Sequence, residues 1–180
     1  MPRFIAFLRA INVGGRVVKM ERLRQLFEAA DLAMVETFIA SGNVIFESPV
    51  KNAAILQRTI ESVLEQELGY EVKTFLRSDA ELAKIATYQP FDAAGEGRLF
   101  IGFLAAKPSA TAAAKLLAIE TETDEFHLDG RELYWRIRGN ASDSKFSGPL
   151  LEKTIGVAAT VRNANTVRKL AAKYPPRASK

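Results

Sequence analysis

Two short stretches of the sequence contain residue types that bind anions. The first stretch, LRAINVGG and the residues after it, brings an asparagine, two glycines and two cations together: Asn12, Gly14, Gly15, Arg16 and Lys19. Glycines let a backbone approach a ligand closely, and the first turn of a following helix presents N–H groups that attract negative charge. The spacing fits neither a P-loop nor a dinucleotide fingerprint, so it predicts an anion site without specifying a nucleotide.

A tight turn supplies the second wall of this expected site. Ser41, Gly42 and Asn43 join two β-rich segments, and glycine and asparagine tolerate the positive φ of a hairpin turn. In the topology predicted below, this turn and the Asn12 loop lie at the same edge of a sheet. We therefore expect Asn12 to approach Asn43. In the alternative interpretation, both asparagines hydrogen-bond only to their local backbone.

The second stretch lies later in the chain, and its polar and cationic residues flank predicted helix starts: Ser144, Lys145, Arg162, Asn163, Asn165 and Arg168. We expect Ser144 and Lys145 to open one helix, and Asn163 or Asn165 to cap the next. Two helix N-termini beside these cations would favour phosphate. In the alternative, the asparagines are only caps and the cations face solvent. The topology puts this cluster at the opposite edge from the first, and whether the two form one site stays open.

The elements that must position these clusters follow one order, strand, helix, strand, strand, helix, strand, and this order occurs twice. The pattern predicts an α+β fold of two ferredoxin-like halves with antiparallel sheets, at residues 1–88 and 98–174, the second ending in an additional helix. Residues 89–97 contain one proline and two glycines and are the expected linker. Residues 175–180 are expected to form a disordered tail.

The first half is predicted to begin with a strand at residues 3–13, in which residues 4–8 are apolar without alternation, and the second half with an apolar strand at residues 98–105. Both strands are therefore expected to be buried on both faces. The helices of a ferredoxin-like half cover only one face of its sheet. The other half or a second subunit should therefore cover the second face, so a homodimer is one expected arrangement.

Composition removes several classes of function. The chain of 180 residues contains no cysteine and one histidine, His127, which excludes disulfides and cysteine nucleophiles and argues against a multi-histidine metal site or a serine triad. We expect no metal and no cofactor. The apolar runs are shorter than the ~20 residues that span a bilayer, so we expect a cytoplasmic protein without a membrane partner.

The net charge of +4 is unevenly distributed. Residues 1–24 carry 6 basic and 1 acidic residue, residues 25–130 carry 8 and 17, and residues 131–180 carry 11 and 3. If both basic ends meet in the fold, they form a surface suited to phosphate or nucleic acid. The alternative is that they are solvated helix faces.

With these residues laid out, the chain resembles a bacterial family named domain of unknown function 1697. The matching stretches are LRAINVGG (8–15), MERLRQLF (20–27), SGNVIF (41–46), QPF (89–91), SKFSGPLLEKTIG (144–156) and RNANTVRKL (162–170). The resemblance implies a ferredoxin-like architecture and no assigned activity. The family pattern has glycine at Ala10, glutamine at Ala40 and tryptophan at Ala164. Alanine at position 164 removes a large aromatic that would stack on a ligand or fill the core.

Three hypotheses about function follow. The leading one is binding of a phosphate-bearing ligand, a nucleotide-like metabolite or nucleic acid, on a basic surface. The second is a small cofactor-free enzyme that positions an anion with Asn, Ser, Lys and Arg side chains. The third is a homo-oligomeric assembly module that uses the second sheet face as its interface.

Overall fold

The computed structural model describes residues 1–39, 42–92, 97–119 and 121–177. The chain divides into two compact units, Met1–Ala83 with Tyr174–Lys180, and Lys84–Lys173. Within the described residues the fold is a mixed α+β fold with two four-stranded antiparallel sheets and six α-helices. No helix in the described part of the chain has the length and apolar character needed to cross a bilayer.

The first unit contains one sheet with strand order β2-β3-β1-β4. Its elements in chain order are β1 (Arg3–Leu8), α1 (Met20–Ala29), β2 (Ala33–Thr37), β3 (Asn43–Glu47), α2 (Ala53–Leu68) and β4 (Thr74–Ser78). The helix α3 (Asp79–Thr87) follows β4 directly. The central strand β1 pairs antiparallel with both β3 and β4, so the loop after β1 lies beside the β2–β3 turn.

The second unit repeats this arrangement with strand order β6-β7-β5-β8. Its elements are β5 (Arg98–Leu104), α4 (Ala110–Leu117), β6 (Asp124–Asp129), β7 (Glu132–Ile137), α5 (Gly148–Ile155), β8 (Ala159–Asn163) and α6 (Ala164–Lys173), with a 3₁₀ turn at Ala141–Asp143. β5 pairs antiparallel with β7 and β8. The start of β5, the end of β7 and the end of β8 therefore lie at one edge of this sheet.

Apolar spacing explains the core of the first unit. On α2 the buried residues are Leu56, Ile60 and Leu64, which recur every four residues and therefore share one helix face. Asn52 starts this helix, since its Oδ1 accepts hydrogen bonds from the N–H groups of Ala54 (3.0 Å) and Ile55 (3.2 Å). Ile55, one residue before Leu56, lies outside this stripe and is 46% exposed.

The first strand is shorter than predicted but is buried on both faces as expected. It ends at Leu8 rather than at Val13, because Ala10 adopts a left-handed backbone with φ of 53°. Glycine would adopt that conformation without a steric penalty. Ile5 and Phe7 on one face, and Ala6 on the other, are fully buried within the single chain.

The helix expected at residues 144–155 begins four residues later, so the prediction that Ser144 and Lys145 open it was wrong. Ser147 is the N-cap and its Oγ accepts a hydrogen bond from the Leu150 N–H at 3.3 Å. Pro149 explains the difference. Proline lacks an N–H and fits only the first turn of a helix, so a start at Ser144 would place it where a hydrogen bond is needed.

Residues 174–177 pack within the first unit. The Tyr174 hydroxyl donates to Glu36 Oε2 at 2.7 Å, and its ring is only 5% exposed. Arg177 forms an ion pair with Glu47 at 2.6 Å. The tail that we expected to be disordered is thus described as far as Arg177, and residues 178–180 lie outside the described residues.

Candidate functional site

The β2–β3 turn packs against the end of β1 and against Ile11, the residue before Asn12. The Leu8 N–H donates to the Gly42 carbonyl at 2.8 Å, and Phe7 is the register partner of Asn43. Gly42 has φ of 74°, and a Cβ at this position would lie 2.7 Å from the Ile11 side chain. Only glycine therefore allows the turn to pack this closely against the loop after β1.

The asparagines of this cluster serve the scaffold. Asn12 Oδ1 accepts a hydrogen bond from the Val18 N–H at 2.7 Å and closes the loop before α1. Asn43 is fully buried, and its amide donates to the Phe38 carbonyl at 3.0 Å within its own hairpin. Lys19 is the N-cap of α1, but its side chain makes no capping hydrogen bond.

The remaining members of the first cluster add little to a site. Gly14 and Gly15 are exposed, and a Cβ at either position would meet no atom within 4 Å. Ser41 lies outside the described residues. Arg16 stacks its guanidinium over the Tyr70 ring at 4.2 Å. The loop is therefore closed on itself and packs on its own unit.

Ser144 supports a buried carboxylate. Its Oγ donates to Asp124 Oδ1 at 2.6 Å, and the Trp135 indole N–H donates to the same oxygen at 2.8 Å. Thr123 and Thr121 donate to Asp124 Oδ2 at 2.7 and 3.1 Å. Burial by itself would raise the pKa of Asp124, but the hydrogen bonds from Ser144, Thr123, Trp135 and Thr121 outweigh it and lower that pKa.

Lys145 is separated from the asparagines of its predicted cluster. It lines a shallow depression with Asp143 and residues 121–123, and Asn163 and Asn165 do not contribute to that depression. Within the described residues, no group of three histidine, cysteine or acidic side chains is placed to hold a metal ion.

A cavity of about 380 Å³ lies in the second unit at the edge where β5 begins and β8 ends. Three segments and one strand residue line it. The segments contribute Gln89, Pro90, Phe91 and Asp92; Gly97, Arg98 and Leu99; and Asn163, Ala164, Asn165 and Arg168, and β7 contributes Arg136. Three residues of the second predicted cluster, Asn163, Asn165 and Arg168, therefore lie here, around the first turn of α6.

Helical spacing explains why α6 contributes several lining residues. Asn163 ends β8, and its Oδ1 accepts a hydrogen bond from the Asn165 N–H at 2.8 Å, which caps α6. Arg168 lies one turn after Ala164 and Asn165, so these three residues share one helix face. Arg168 Nη1 donates to Asn165 Oδ1 at 3.3 Å.

These two bonds decide which atoms the asparagines can offer a ligand. A backbone N–H and a guanidinium can only donate, so both asparagine oxygens are already used as acceptors. Neither Asn163 nor Asn165 donates through its amide nitrogen to any described residue. The two amide groups thus bring up to four N–H donors to the cavity wall.

Arg98 and Arg136 differ in how much of their charge is neutralised. Arg98 is exposed and has no side-chain hydrogen bond or ion pair with the described residues. Arg136 Nε donates to Glu125 Oε2 at 2.5 Å, and Nη1 donates to the Asp92 carbonyl at 3.2 Å. Its guanidinium lies 4.7 Å from the centre of the Phe91 ring. Arg136 therefore fixes the wall, whereas Arg98 can receive a ligand.

Arg162 does not line the cavity, although it was predicted in the same cluster as Asn163. Side chains alternate along a strand, so Arg162 and Asn163 face opposite sides of the sheet. Arg162 Nη1 donates to Thr160 Oγ1 at 2.8 Å and to the Val161 carbonyl at 3.0 Å. Burial lowers the pKa of Arg162 to about 10.

The sequence prediction missed the wall formed by residues 89–92 and by Arg98 and Arg136. Residues 89–97 had been interpreted as a linker on account of their proline and glycines. The one signal for a different role was the QPF stretch, which is among those that carry the family resemblance. Nothing in the local sequence indicates that Asp92 and Arg136 come together across 44 positions.

Comparisons with known proteins give one family without an assigned activity and one similar fold. The family model described as "Protein of unknown function (DUF1697)" matches residues 1–134. Among solved structures, the chain is similar to the conserved bacterial protein SP0830 from Streptococcus pneumoniae, with a TM-score of 0.77 and 22% sequence identity. That alignment covers 98% of this chain and 99% of the other, and at this identity it supports the fold alone. No curated protein matches.

Proposed function

The chain belongs to the family described as protein of unknown function (DUF1697), and we propose that it binds a small phosphate-bearing ligand in the cavity of its second unit. The observation that carries this proposal is the surplus of hydrogen-bond donors on one wall. Both asparagine oxygens are engaged, and the amide groups and two arginines remain as donors. Such a wall favours a ligand rich in acceptors, and a phosphate group presents several strong acceptor oxygens.

Electrostatics support the same assignment. Arg98 and Arg168 carry positive charge, and the first turn of α6 adds the positive end of a ten-residue helix dipole. Guanidinium groups bind phosphate through paired N–H donors, and such charge-assisted bonds are about twice as strong as neutral ones. Glu125, which contacts the lining residue Arg136, is bound to Arg136 and Arg138. Among the described residues, neither Arg98 nor Arg168 forms an ion pair.

Calorimetric titration with inorganic phosphate at low salt tests the proposal. We expect saturable binding that weakens as salt screens the arginines. Arg98→Ala and Arg168→Ala should each weaken binding about tenfold to a hundredfold, because a hydrogen bond to a charged group contributes about 1.5–3 kcal/mol. Arg58→Ala is the matched control, since Arg58 is exposed on α2 in the first unit and its loss changes net charge equally.

Equal losses in all three variants would mean that only net charge matters, and the cavity would not be the site. Absence of phosphate binding by the wild-type protein at low salt would refute the proposal directly. Unchanged melting temperatures of the arginine variants are needed so that weaker binding is not mistaken for unfolding.

We also infer that each unit is a ferredoxin-like domain. The element order βαββαβ in both units and the matching strand orders, β2-β3-β1-β4 and β6-β7-β5-β8, support this inference. An experimental structure with a different strand order in either sheet would overturn it.

The enzyme and the assembly-module hypotheses stay predictions. Turnover of a panel of phosphorylated metabolites that is lost in Arg168→Ala would favour an enzyme. Sedimentation of the protein as a dimer would favour the assembly module, and a single monomeric species would count against it.

A further inference from the structure

We propose that the ligand of this cavity is a phosphate monoester whose organic body carries hydroxyl or amino donors, and that Asp92 selects it. This inference rests on the proposed function and names the class of ligand. It distinguishes a phosphorylated polyol or sugar from a bare anion and from a nucleic acid strand.

The size of the cavity is the first argument. Its volume of about 380 Å³ lies in the range of sites for small organic molecules, about 300–1,000 Å³. A water molecule occupies about 30 Å³ of liquid, and a phosphate group of five heavy atoms needs only a few times that volume. Most of the cavity is thus available for the part of the ligand that is not phosphate.

The chemistry of residues 89–92 is the second argument. Arg98, Arg168 and the asparagines of α6 and β8 bring donors to the lining, whereas residues 89–92 bring one acidic residue, Asp92. The Asp92 side chain has no hydrogen bond or ion pair with the described residues. An ionised carboxylate only accepts hydrogen bonds, so it repels a second anionic group and attracts a hydroxyl or amino group.

Asp92 is held in place by a chain of contacts. Its carbonyl accepts a hydrogen bond from Arg136, whose guanidinium also stacks on Phe91 and binds Glu125. Arg136 is nearly buried, with 9% of its surface exposed. The wall that carries the carboxylate is therefore formed before a ligand arrives, and less ordering has to occur on binding.

The same contacts favour a small ligand over a nucleic acid strand. Proteins that bind single strands stack successive bases on aromatic faces along an open groove. Phe91 is the aromatic residue of this cavity, and Arg136 already occupies one face of its ring. The Asp92 carboxylate would also repel a continuous phosphate backbone.

Two phosphate monoesters test recognition of the phosphate group separately from recognition of the hydroxyl-bearing body by Asp92. Methyl phosphate carries the anionic group without a donor-bearing body, and ribose 5-phosphate carries the same group with several hydroxyls. Calorimetry should show that the wild-type protein binds ribose 5-phosphate at least about tenfold more tightly, since a hydrogen bond to a charged carboxylate has about this effect.

Asp92→Ala should change the affinities for the two ligands differently. Affinity for ribose 5-phosphate should fall about tenfold to a hundredfold, whereas affinity for methyl phosphate should stay constant or rise, because a negative charge has been removed. Glu122→Ala removes an exposed carboxylate of the same unit that does not line this cavity, and it should leave the affinity ratio unchanged.

The outcomes distinguish this inference from the proposed function. If the wild-type protein binds both esters equally, or if Asp92→Ala leaves their ratio unchanged, the role of Asp92 is refuted while phosphate binding stands. If the wild-type protein binds neither ester nor inorganic phosphate, both proposals fail. If Asp92→Ala has the same melting temperature as the wild type, the variant is folded. Asp92→Asn keeps an acceptor oxygen and should retain part of the preference for ribose 5-phosphate over methyl phosphate.

Discussion

The asparagines of the two predicted clusters have different uses. In the first unit, Asn12 accepts from the Val18 N–H and Asn43 donates to the Phe38 carbonyl, so each stabilises its own loop. In the second unit, Asn163 and Asn165 use their oxygens to cap α6 and to hold Arg168, and their amide nitrogens remain at the cavity wall. Both clusters have residue types suited to anion binding, and in the second cluster the amide donors lie beside a cavity.

This difference teaches that a helix cap and a ligand site can share a residue. A capping asparagine contributes one oxygen to the helix and keeps two N–H donors for another partner. The two interpretations that the sequence left open, cap or ligand residue, are therefore compatible at Asn163. At Asn43, complete burial makes the structural role the dominant one.

The strongest test of the scaffold concerns Asp124. We expect Asp124→Ala to lower the free energy of unfolding by at least roughly 3 kcal/mol, since each hydrogen bond to a charged group contributes about 1.5–3 kcal/mol and Trp135 would lose its partner. Denaturant unfolding measures this change. Ser144→Ala should cost less and leave phosphate affinity intact. A loss of affinity without a loss of stability would restore Ser144 as a ligand residue.

Gly42 tests the close packing of the first cluster. Gly42→Ala should destabilise the protein by about 2–4 kcal/mol, because it adds a left-handed penalty and an overlap with Ile11. Gly15→Ala is the control, with a similar φ of 82° but no atom within 4 Å, and it should cost only about 1–2 kcal/mol. Thermal or denaturant unfolding measures the loss of stability in each variant. Equal losses in Gly42→Ala and Gly15→Ala would show that the Ile11 side chain moves to make room for the added methyl group.

The asparagines themselves can be compared directly. Asn43→Ala should cost about 1–3 kcal/mol, because it removes the buried amide that donates to the Phe38 carbonyl, and it should not alter phosphate affinity. Asn163→Ala should cost about 1 kcal/mol as a lost cap and should also weaken phosphate binding. Denaturant unfolding measures the loss of stability of each variant, and calorimetry measures its phosphate affinity. The comparison breaks down if Asn43→Ala affects binding as strongly as Asn163→Ala does.

The smallest expected effect is a dependence on pH. The pKa of Asp124 is lowered from 3.8 in the folded protein, so its contribution to stability is fully present above that value and is lost as pH falls through the folded pKa. The difference in unfolding free energy between wild type and Asp124→Asn should be constant above about pH 5 and shrink at lower pH. If this difference in unfolding free energy instead grew as the pH fell, the pKa of Asp124 would be raised in the folded protein and the prediction would be wrong.

Much of the framework could be predicted from the sequence alone. The order of strands and helices, the caps Asn52 and Ser109, and the turn at Gly42 all depend on residues within a few positions of one another. Side-chain caps bond to N–H groups two or three residues later, and turns need particular φ values, so local residue types determine them. The family was also identified from short matching stretches.

The tertiary structure decided which predicted residues lie together. Ser144 binds Asp124, 20 positions away, rather than opening a helix beside Asn163. Asp92, Arg98 and Arg136 form the walls of a cavity although the sequence between them predicted a linker and ordinary strands. Strand pairing and side-chain stacking bring these residues together, and no spacing in the chain records such contacts. The sequence determined which chemistry was present, and the fold determined which of its donors and acceptors remained for a ligand.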